Sequence, residues 1–228
     1  MMTVIDDKTM PRAADYPFLA PLERYVFSAI GEAPAFDVEG RTPVLALGSN
    51  AAPLQLNRKF GQAFGHIPVS RAVLFDHVVV YSAHFSRYGS LPATLEQHPG
   101  GVTFVAITWL DQSQLERMHE TEALGVNYDY CELADFRLEH DGEALIATTT
   151  VPIGAYVSRH GPLRHAAAPV RLAETASSGC AWPALTQPAA LRFAHRRVAP
   201  ELAYDTFMQR IVADTGFRRE CSDRLKTS

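Results

Sequence analysis

Cysteines are scarce in this chain. Only three occur among 228 residues, Cys131, Cys180 and Cys221, and their odd number and wide spacing argue against a disulfide framework. We expect them to be reduced thiols of a cytoplasmic protein. No apolar run approaches the roughly 20 residues that a membrane-spanning helix needs. The first residues also lack the basic-then-apolar pattern of a signal peptide, so no association with a membrane is expected.

Basic residues are not in excess either. The chain carries 21 Lys and Arg against 25 Asp and Glu, which gives a formal charge of -4 at pH 7. Binding to a nucleic-acid backbone requires a basic surface, and no run of Lys or Arg is interleaved with aromatic residues. The expected partner is therefore a small molecule and not a nucleic acid. The oligomeric state is left open by the sequence.

The order of the expected elements predicts the fold class. Residues 1–40 are predicted to be an N-terminal extension that covers part of the core, with a short amphipathic helix over residues 22–27. Residues 41–228 are predicted to form one domain with its own core. Several strands precede any strand–helix alternation, which favours an α+β fold, either a small mixed β-barrel or a strongly curved sheet, with flanking helices.

The expected elements after the first strand are separated by long connections. Strands are predicted at residues 78–85 and 102–110, joined by a loop that holds at most a short edge strand at 93–96. A further strand at 130–138 is predicted to return through a hairpin turn at Asp141-Gly142. Residues 152–188 are rich in Pro, Gly, Ala and Ser and are expected to be a long, partly irregular excursion near a site and not a second domain. A helix is expected at 200–214.

A glycine turn follows the first apolar strand, residues 44–47. Gly48, Ser49 and Asn50 break that run, and a helix with Pro53 in its first turn is expected next. At such a strand-to-helix turn, free backbone N–H groups and the helix dipole favour an anionic ligand. The turn is therefore a candidate binding site.

A second candidate is a glutamate at the end of a capped helix. Asp111 and Gln114 form a capping-box pattern that predicts where this helix begins. At about 100° per residue, Glu122 falls on the same stripe as Leu115 and Met118, the face expected to point inward. A carboxylate shielded there is a candidate general base, although it is equally open that Glu122 reaches water at the fraying end of the helix or pairs with an arginine.

These segments, in this order, resemble the gamma-glutamylcyclotransferase-like family. The resemblance spans about residues 44–151 and rests on the Leu-Gly-Ser-Asn turn at 47–50, the strand at 101–110 and the helix at 115–122. It implies a small mixed barrel with flanking helices. It also implies a lyase-type or transferase-type reaction in which a γ-glutamyl compound closes to 5-oxoproline, with Glu122 as general acid/base.

The resemblance also assigns the remaining site residues. It implies that Leu47, Gly48, Ser49 and Asn50 bind the γ-glutamyl substrate. From their position just after the helix, Tyr128 and Tyr130 are further candidates to line the pocket as hydroxyl donors, and packing in the core or in an edge strand is an equally open role for them. Leu47 stands where the family usually has a tyrosine, and His119 and Ala123 also depart from the family pattern around Glu122. No metal and no organic cofactor are expected to take part.

Two other functions remain open at the level of sequence. The first is an accessory activity like that of allophanate hydrolases, on a small carbamoyl compound, in which His119 would matter. The second is a non-catalytic binding module of the same fold. His160 and His165 are interpreted as surface histidines, since no matching Cys or carboxylate spacing accompanies them.

Overall fold

The computed structural model describes residues 13–133, 137–140, 143–146 and 152–226. Within these ranges the fold is α+β, with five α-helices and one large mixed sheet. The predicted hairpin turn at 141–142 lies outside the described residues. The longer strands and the helices are β1 (Tyr25–Ser28), β2 (Thr42–Ala46), α1 (Pro53–Phe60), β3 (His66–Tyr81), β4 (Ala93–Leu110), α2 (Gln112–Thr121), β5 (Tyr128–Leu133), β6 (Arg137–His140), β7 (Glu143–Ile146), β8 (Ile153–Ser158), α3 (Gln187–Val198), α4 (Tyr204–Ala213) and α5 (Thr215–Lys226).

Five two-residue strands lie between β8 and α3. They are β9 (Arg164–His165), β10 (Ala168–Pro169), β11 (Arg171–Leu172), β12 (Ser177–Ser178) and β13 (Ala184–Leu185). The strand order through the main sheet is β13-β11-β3-β4-β2-β8-β5, with β2 and β8 parallel and most other pairs antiparallel. Among the described strands this order does not close into a ring. The predicted mixed sheet with flanking helices is therefore confirmed, and the predicted barrel is not.

The sheet buries side chains on both faces because strand residues alternate in direction. Val44 and Ala46 of β2 pack on one face, together with Leu56 of α1 and Met118 of α2. Leu45 points to the opposite face, where α3, α4 and α5 complete the larger core. Both faces of β2 are thus covered, which explains why its sequence is a continuous apolar run.

The strands β3 and β4 are much longer than the sequence predicts. They pair antiparallel from Val69 opposite Thr108 to Tyr81 opposite Ala93, with a register shift between Phe75 and His77. The predicted loop is wrong from residue 97 onward, because β4 continues through the Pro-Gly-Gly segment. Residues 98–101 bulge opposite Asp76, whose carboxylate accepts a hydrogen bond from the N–H of Gly100 at 2.8 Å. A Pro-Gly-Gly segment inside a strand thus marks a bulge and not a turn.

One other expectation is corrected. Residues 25–28 form strand β1, which pairs with β3, and not the predicted amphipathic helix. Within the segment predicted to be partly irregular, residues 153–158 form β8, which pairs with β2. The helix predicted at 200–214 is confirmed as α4, while α3 and α5, on either side of it, were not predicted. The helices could form there because their apolar residues pack on the sheet, a tertiary contribution that local propensity does not include.

The connection from β4 to α2 determines where α2 ends. Thr42 pairs with Leu110, so α2 begins beside the start of β2. A helix of ten residues advances about 15 Å, at about 1.5 Å per residue. This length carries its C-terminal end along β2 towards the turn that follows Ala46. The glycine turn and Glu122 are thereby brought to the same end of β2.

The predicted capping box at the start of α2 is confirmed. The carboxylate of Asp111 accepts a hydrogen bond from the backbone N–H of Gln114 at 2.9 Å, and the Gln114 side chain accepts from the Asp111 N–H at 3.1 Å. Both bonds satisfy N–H groups that a helix otherwise leaves without partners.

We predict that Asp111→Ala lowers the free energy of unfolding by about 1 kcal/mol, because the capping acceptor is lost. Chemical denaturation measures this change. Gln112→Ala, at an exposed position on the same turn, is the control and should change stability by less than about 0.5 kcal/mol. Equal effects of the two substitutions would show that the cap does not stabilise α2.

Candidate active site

A cavity of about 710 Å³ opens beside the glycine turn and the C-terminal end of α2. It is large enough for a small-molecule ligand. The residues selected from the sequence all line it: Leu47, Gly48, Ser49, Asn50, Glu122 and Tyr128. The structure thus brings these six residues together, while their roles in binding or catalysis stay predictions.

The glycine turn has a tight backbone that a side chain at residue 48 would disrupt. Gly48 has φ -135°, so a left-handed conformation is not the reason for glycine here. A Cβ at Gly48 would instead overlap the hydroxyl of Tyr16 and lie 3.2 Å from the Cβ of Ala93. Ser49 to Ala51 then form one 3-10 turn before α1 begins at Pro53. Glycine is needed because two other segments approach it closely.

Glu122 lies directly after α2, and its backbone N–H still donates to the carbonyl of Met118 at 3.0 Å. Its side chain is only 12% exposed. The carboxylate oxygen Oε1 accepts a hydrogen bond from Nδ2 of Asn50 at 2.8 Å. The glycine turn and Glu122, 72 residues apart in sequence, are therefore joined directly by side chains.

Lys59 is a site residue that the sequence analysis missed. Its Nζ forms an ion pair with Oε1 of Glu122 and lies 3.2 Å from Sδ of Met118. The Lys59 side chain is 7% exposed, so this is a buried pair. The available signal was its position in α1, three residues after Leu56 and one before Phe60, on the helix face that packs inward.

The ammonium of Lys59 compensates the charge that Glu122 carries into the cavity. A buried carboxylate without a partner is strongly destabilised, so a compensating cation is needed where the side chain is shielded. Both described contacts use the same oxygen, Oε1. Among the described residues, none donates a hydrogen bond to Oε2, which leaves that atom available to a ligand.

Tyrosines form much of the cavity wall. Tyr128 is buried, and its hydroxyl donates to the backbone carbonyl of Ala93 at 3.3 Å. Burial raises the pKa of Tyr128 well above its ordinary value, with the neighbouring Tyr16 and Glu122 adding to the effect. Burial likewise raises the pKa of Tyr156, whose hydroxyl contacts Nδ1 of His119 at 2.8 Å. These hydroxyls therefore stay neutral at physiological pH.

The charges around the cavity have a positive balance. Glu122 and Glu120 are the lining carboxylates, and they pair with Lys59 and with Arg117, the latter at 2.9 Å. Two further arginines, Arg58 and Arg87, also line the cavity. The guanidinium of Arg58 lies 5.3 Å from the centre of the Tyr88 ring and donates to Gln55 at 3.1 Å. This arrangement favours an anionic ligand.

The histidines have structural neighbours of their own. His84 lines the cavity and stacks on His160 with ring centres 4.2 Å apart. Burial lowers the pKa of His84 well below its ordinary value, and the nearby His160 adds to this effect, so His84 is neutral at pH 7. His165, in β9, packs against Phe193 with ring centres 5.3 Å apart. Within the described ranges, no group of three or more His, Cys, Asp or Glu is arranged to hold a metal ion.

No family model matches the sequence, and no curated protein matches it. No helix in the described part of the chain combines the length and the apolar character needed to cross a membrane.

Several solved structures are similar to part of the chain. An uncharacterized protein from Homo sapiens is 19% identical with a TM-score of 0.42, over 54% of this chain and 72% of the human one. A gamma-glutamyl cyclotransferase is 18% identical with a TM-score of 0.40, over 54% of this chain and 70% of its own. A protein from Arabidopsis thaliana is 14% identical with a TM-score of 0.39, over 55% of this chain and 74% of its own. Likenesses at this level do not establish the family of this chain or its reaction.

We predict that Lys59→Met lowers the free energy of unfolding by about 3 kcal/mol, because removing one partner of a buried pair leaves an uncompensated charge. Denaturant titration of the purified variant measures the loss. The double variant Lys59→Met/Glu122→Gln should recover much of the lost stability, since it removes both charges. If the double variant is no more stable than the single one, the pair does not compensate the Glu122 charge.

Proposed function

We propose that the protein is a cofactor-independent cyclotransferase that releases 5-oxoproline from a γ-glutamyl compound, with Glu122 as the general acid/base. The observation that carries this proposal is the position of the Glu122 carboxylate. It is 12% exposed, lines a ligand-sized cavity and is fixed to the glycine turn through Asn50 at 2.8 Å. A general base needs this kind of shielded, oriented carboxylate.

The reaction is an intramolecular acyl transfer. The α-ammonium of the γ-glutamyl group loses a proton to Glu122, and the free amine attacks the γ-carbonyl carbon of the same group. A carbon–nitrogen bond forms within a five-membered ring, and the bond to the leaving amine breaks. Protons lost by the attacking nitrogen pass through Glu122 to the leaving nitrogen, so the carboxylate ends the cycle ionised, as it began.

The site can accelerate this reaction by holding the substrate in a folded conformation. Ring closure between two groups held together can correspond to effective concentrations of about 10⁵–10⁸ M. Asn50 and Lys59 both contact Oε1 of Glu122, and these two contacts fix the direction of the carboxylate. The atom Oε2 is then the one that would accept the ammonium proton.

The charge of the cavity supports an anionic substrate. A γ-glutamyl compound carries an α-carboxylate, for which the backbone N–H groups of the glycine turn are suitable donors. Arg58 and Arg87 add positive charge to the same cavity.

We predict that Glu122→Gln lowers kcat for 5-oxoproline release by at least about 100-fold, because general acid–base catalysis commonly contributes about 10²–10⁴-fold. The assay measures 5-oxoproline released from a panel of γ-glutamyl amino acids and γ-glutamyl amines. Glu116→Gln is the control, because Glu116 is an exposed carboxylate on the same helix and does not line the cavity.

Two results would overturn the proposal. One is a Glu122→Gln variant that turns over the panel at the parent rate. The other is a parent protein that binds 5-oxoproline in a calorimetric titration yet releases none from any γ-glutamyl compound. That second result would indicate a binding module and not an enzyme.

A further inference from the structure

The segment before β2 contributes a side chain to the cavity. Tyr16 belongs to the residues predicted from the sequence to be an extension, yet it is only 4% exposed and packs in the larger core. It lines the same cavity as the glycine turn and Glu122. Its position is therefore that of a site residue and not only of a cover for the core.

Neighbouring groups hold Tyr16 in place. A short 3-10 helix, Ala13–Asp15, precedes it, and the N–H of Phe18 donates to the carbonyl of Asp15 at 2.8 Å. The Phe18 ring lies 6.2 Å from the Tyr16 ring and 6.0 Å from the ring of Tyr88, another residue of the cavity wall. The Tyr16 ring is thus packed between the core and the cavity.

The hydroxyl of Tyr16 has a defined orientation. Its oxygen accepts a hydrogen bond from the backbone N–H of Ala93 at 2.7 Å, and it lies where a Cβ of Gly48 would be. A phenol hydroxyl also has one proton to donate. Among the described residues no acceptor takes that proton. Since the backbone N–H groups of Ala93 and Ser49 both donate to this oxygen, its acceptor side is occupied and the proton is free to point to the cavity.

The hydroxyl also stays protonated. Burial raises the pKa of Tyr16 far above its ordinary value, and the neighbouring Tyr88 adds to this effect. A neutral hydroxyl beside the glycine turn is a hydrogen-bond donor, not an acceptor of a substrate proton. Its chemistry therefore complements Glu122, which supplies the acceptor in the same cavity.

We propose that Tyr16 is a substrate-binding residue whose hydroxyl donates a hydrogen bond to an oxygen atom of the ligand held at the glycine turn. In the reaction proposed above, on which this role in turnover rests, that oxygen belongs to the γ-glutamyl group. The N-terminal segment would then be part of the site, and the absence of a side chain at Gly48 would serve to admit the Tyr16 hydroxyl.

The test is Tyr16→Phe, which keeps the ring and removes only the hydroxyl. We expect kcat/KM for 5-oxoproline release to fall at least about tenfold. The loss of a hydrogen bond to a charged group, or to a charge that develops in the transition state, has effects of this size. Tyr81→Phe is the matched control. Tyr81 is equally buried in the same core and donates to the carbonyl of Leu185 at 3.0 Å, but it does not line the cavity.

Thermal unfolding separates binding from folding. Both variants lose buried hydrogen bonds, with Ala93 in Tyr16→Phe and with Leu185 and Glu174 in Tyr81→Phe. We therefore expect Tm to decrease in both, with the loss of turnover confined to Tyr16→Phe. Equal activity of Tyr16→Phe and the parent protein, or equal losses in the two variants, would overturn the role of Tyr16 and leave the proposed reaction intact.

A parent protein without cyclotransferase activity would overturn the proposed reaction instead. Calorimetric titration with 5-oxoproline and with glutamate then tests Tyr16 by itself. Weaker binding to Tyr16→Phe than to Tyr81→Phe supports the proposal, and equal binding, or no binding to the parent protein, overturns it.

Discussion

The buried ion pair between Lys59 and Glu122 is the interaction on which the site depends. It joins the last turn of α1 to the residue that follows α2, and both side chains are almost fully shielded from water. Two buried charges are stable only when they are paired with each other and when hydrogen bonds satisfy their remaining lone pairs and protons. Asn50 provides one of these bonds at 2.8 Å and ties the pair to the glycine turn. A single carboxylate thereby fixes three segments of the chain around one cavity.

The sheet explains why these segments meet. Strand β2 leads into the glycine turn at one end, and β4, its antiparallel neighbour, leads into α2 at the other. Because α2 then runs back along β2, its C-terminal end reaches the turn. The packing of α1 and α2 on the same face of the sheet holds both partners of the ion pair. The opposite face, with Leu45 and Tyr16, closes the cavity from the other side.

Local signals in the sequence were sufficient for part of this arrangement. The apolar strand before the glycine turn and the capping box of Asp111 depend on neighbouring residues, and both were predicted correctly. The identity of the residues around the cavity could also be proposed from the helix periodicity that turns Glu122 inward, together with the family resemblance. Their chemical roles remain to be tested.

Features that depend on long-range contacts could not be predicted. Lys59 meets Glu122 across 63 residues of sequence, and nothing in the sequence near either residue indicates the pairing. Tyr16 lay in a segment without clear periodicity, yet it bonds to Ala93, 77 residues away. The Pro-Gly-Gly segment before Val102 indicated a turn, whereas pairing with β3 on either side keeps it within strand β4 as a bulge. In each case tertiary contacts outweighed the conformational preference of the local sequence.

The central claim is that the cavity between the glycine turn and Glu122 is where the ligand binds. A crystal structure of the protein grown with saturating 5-oxoproline tests it most directly. The account predicts the five-membered ring in this cavity, with its nitrogen facing the Glu122 carboxylate and its carboxylate near the backbone of Ser49 and Asn50. A ring bound elsewhere on the protein while this cavity stays empty would contradict the account.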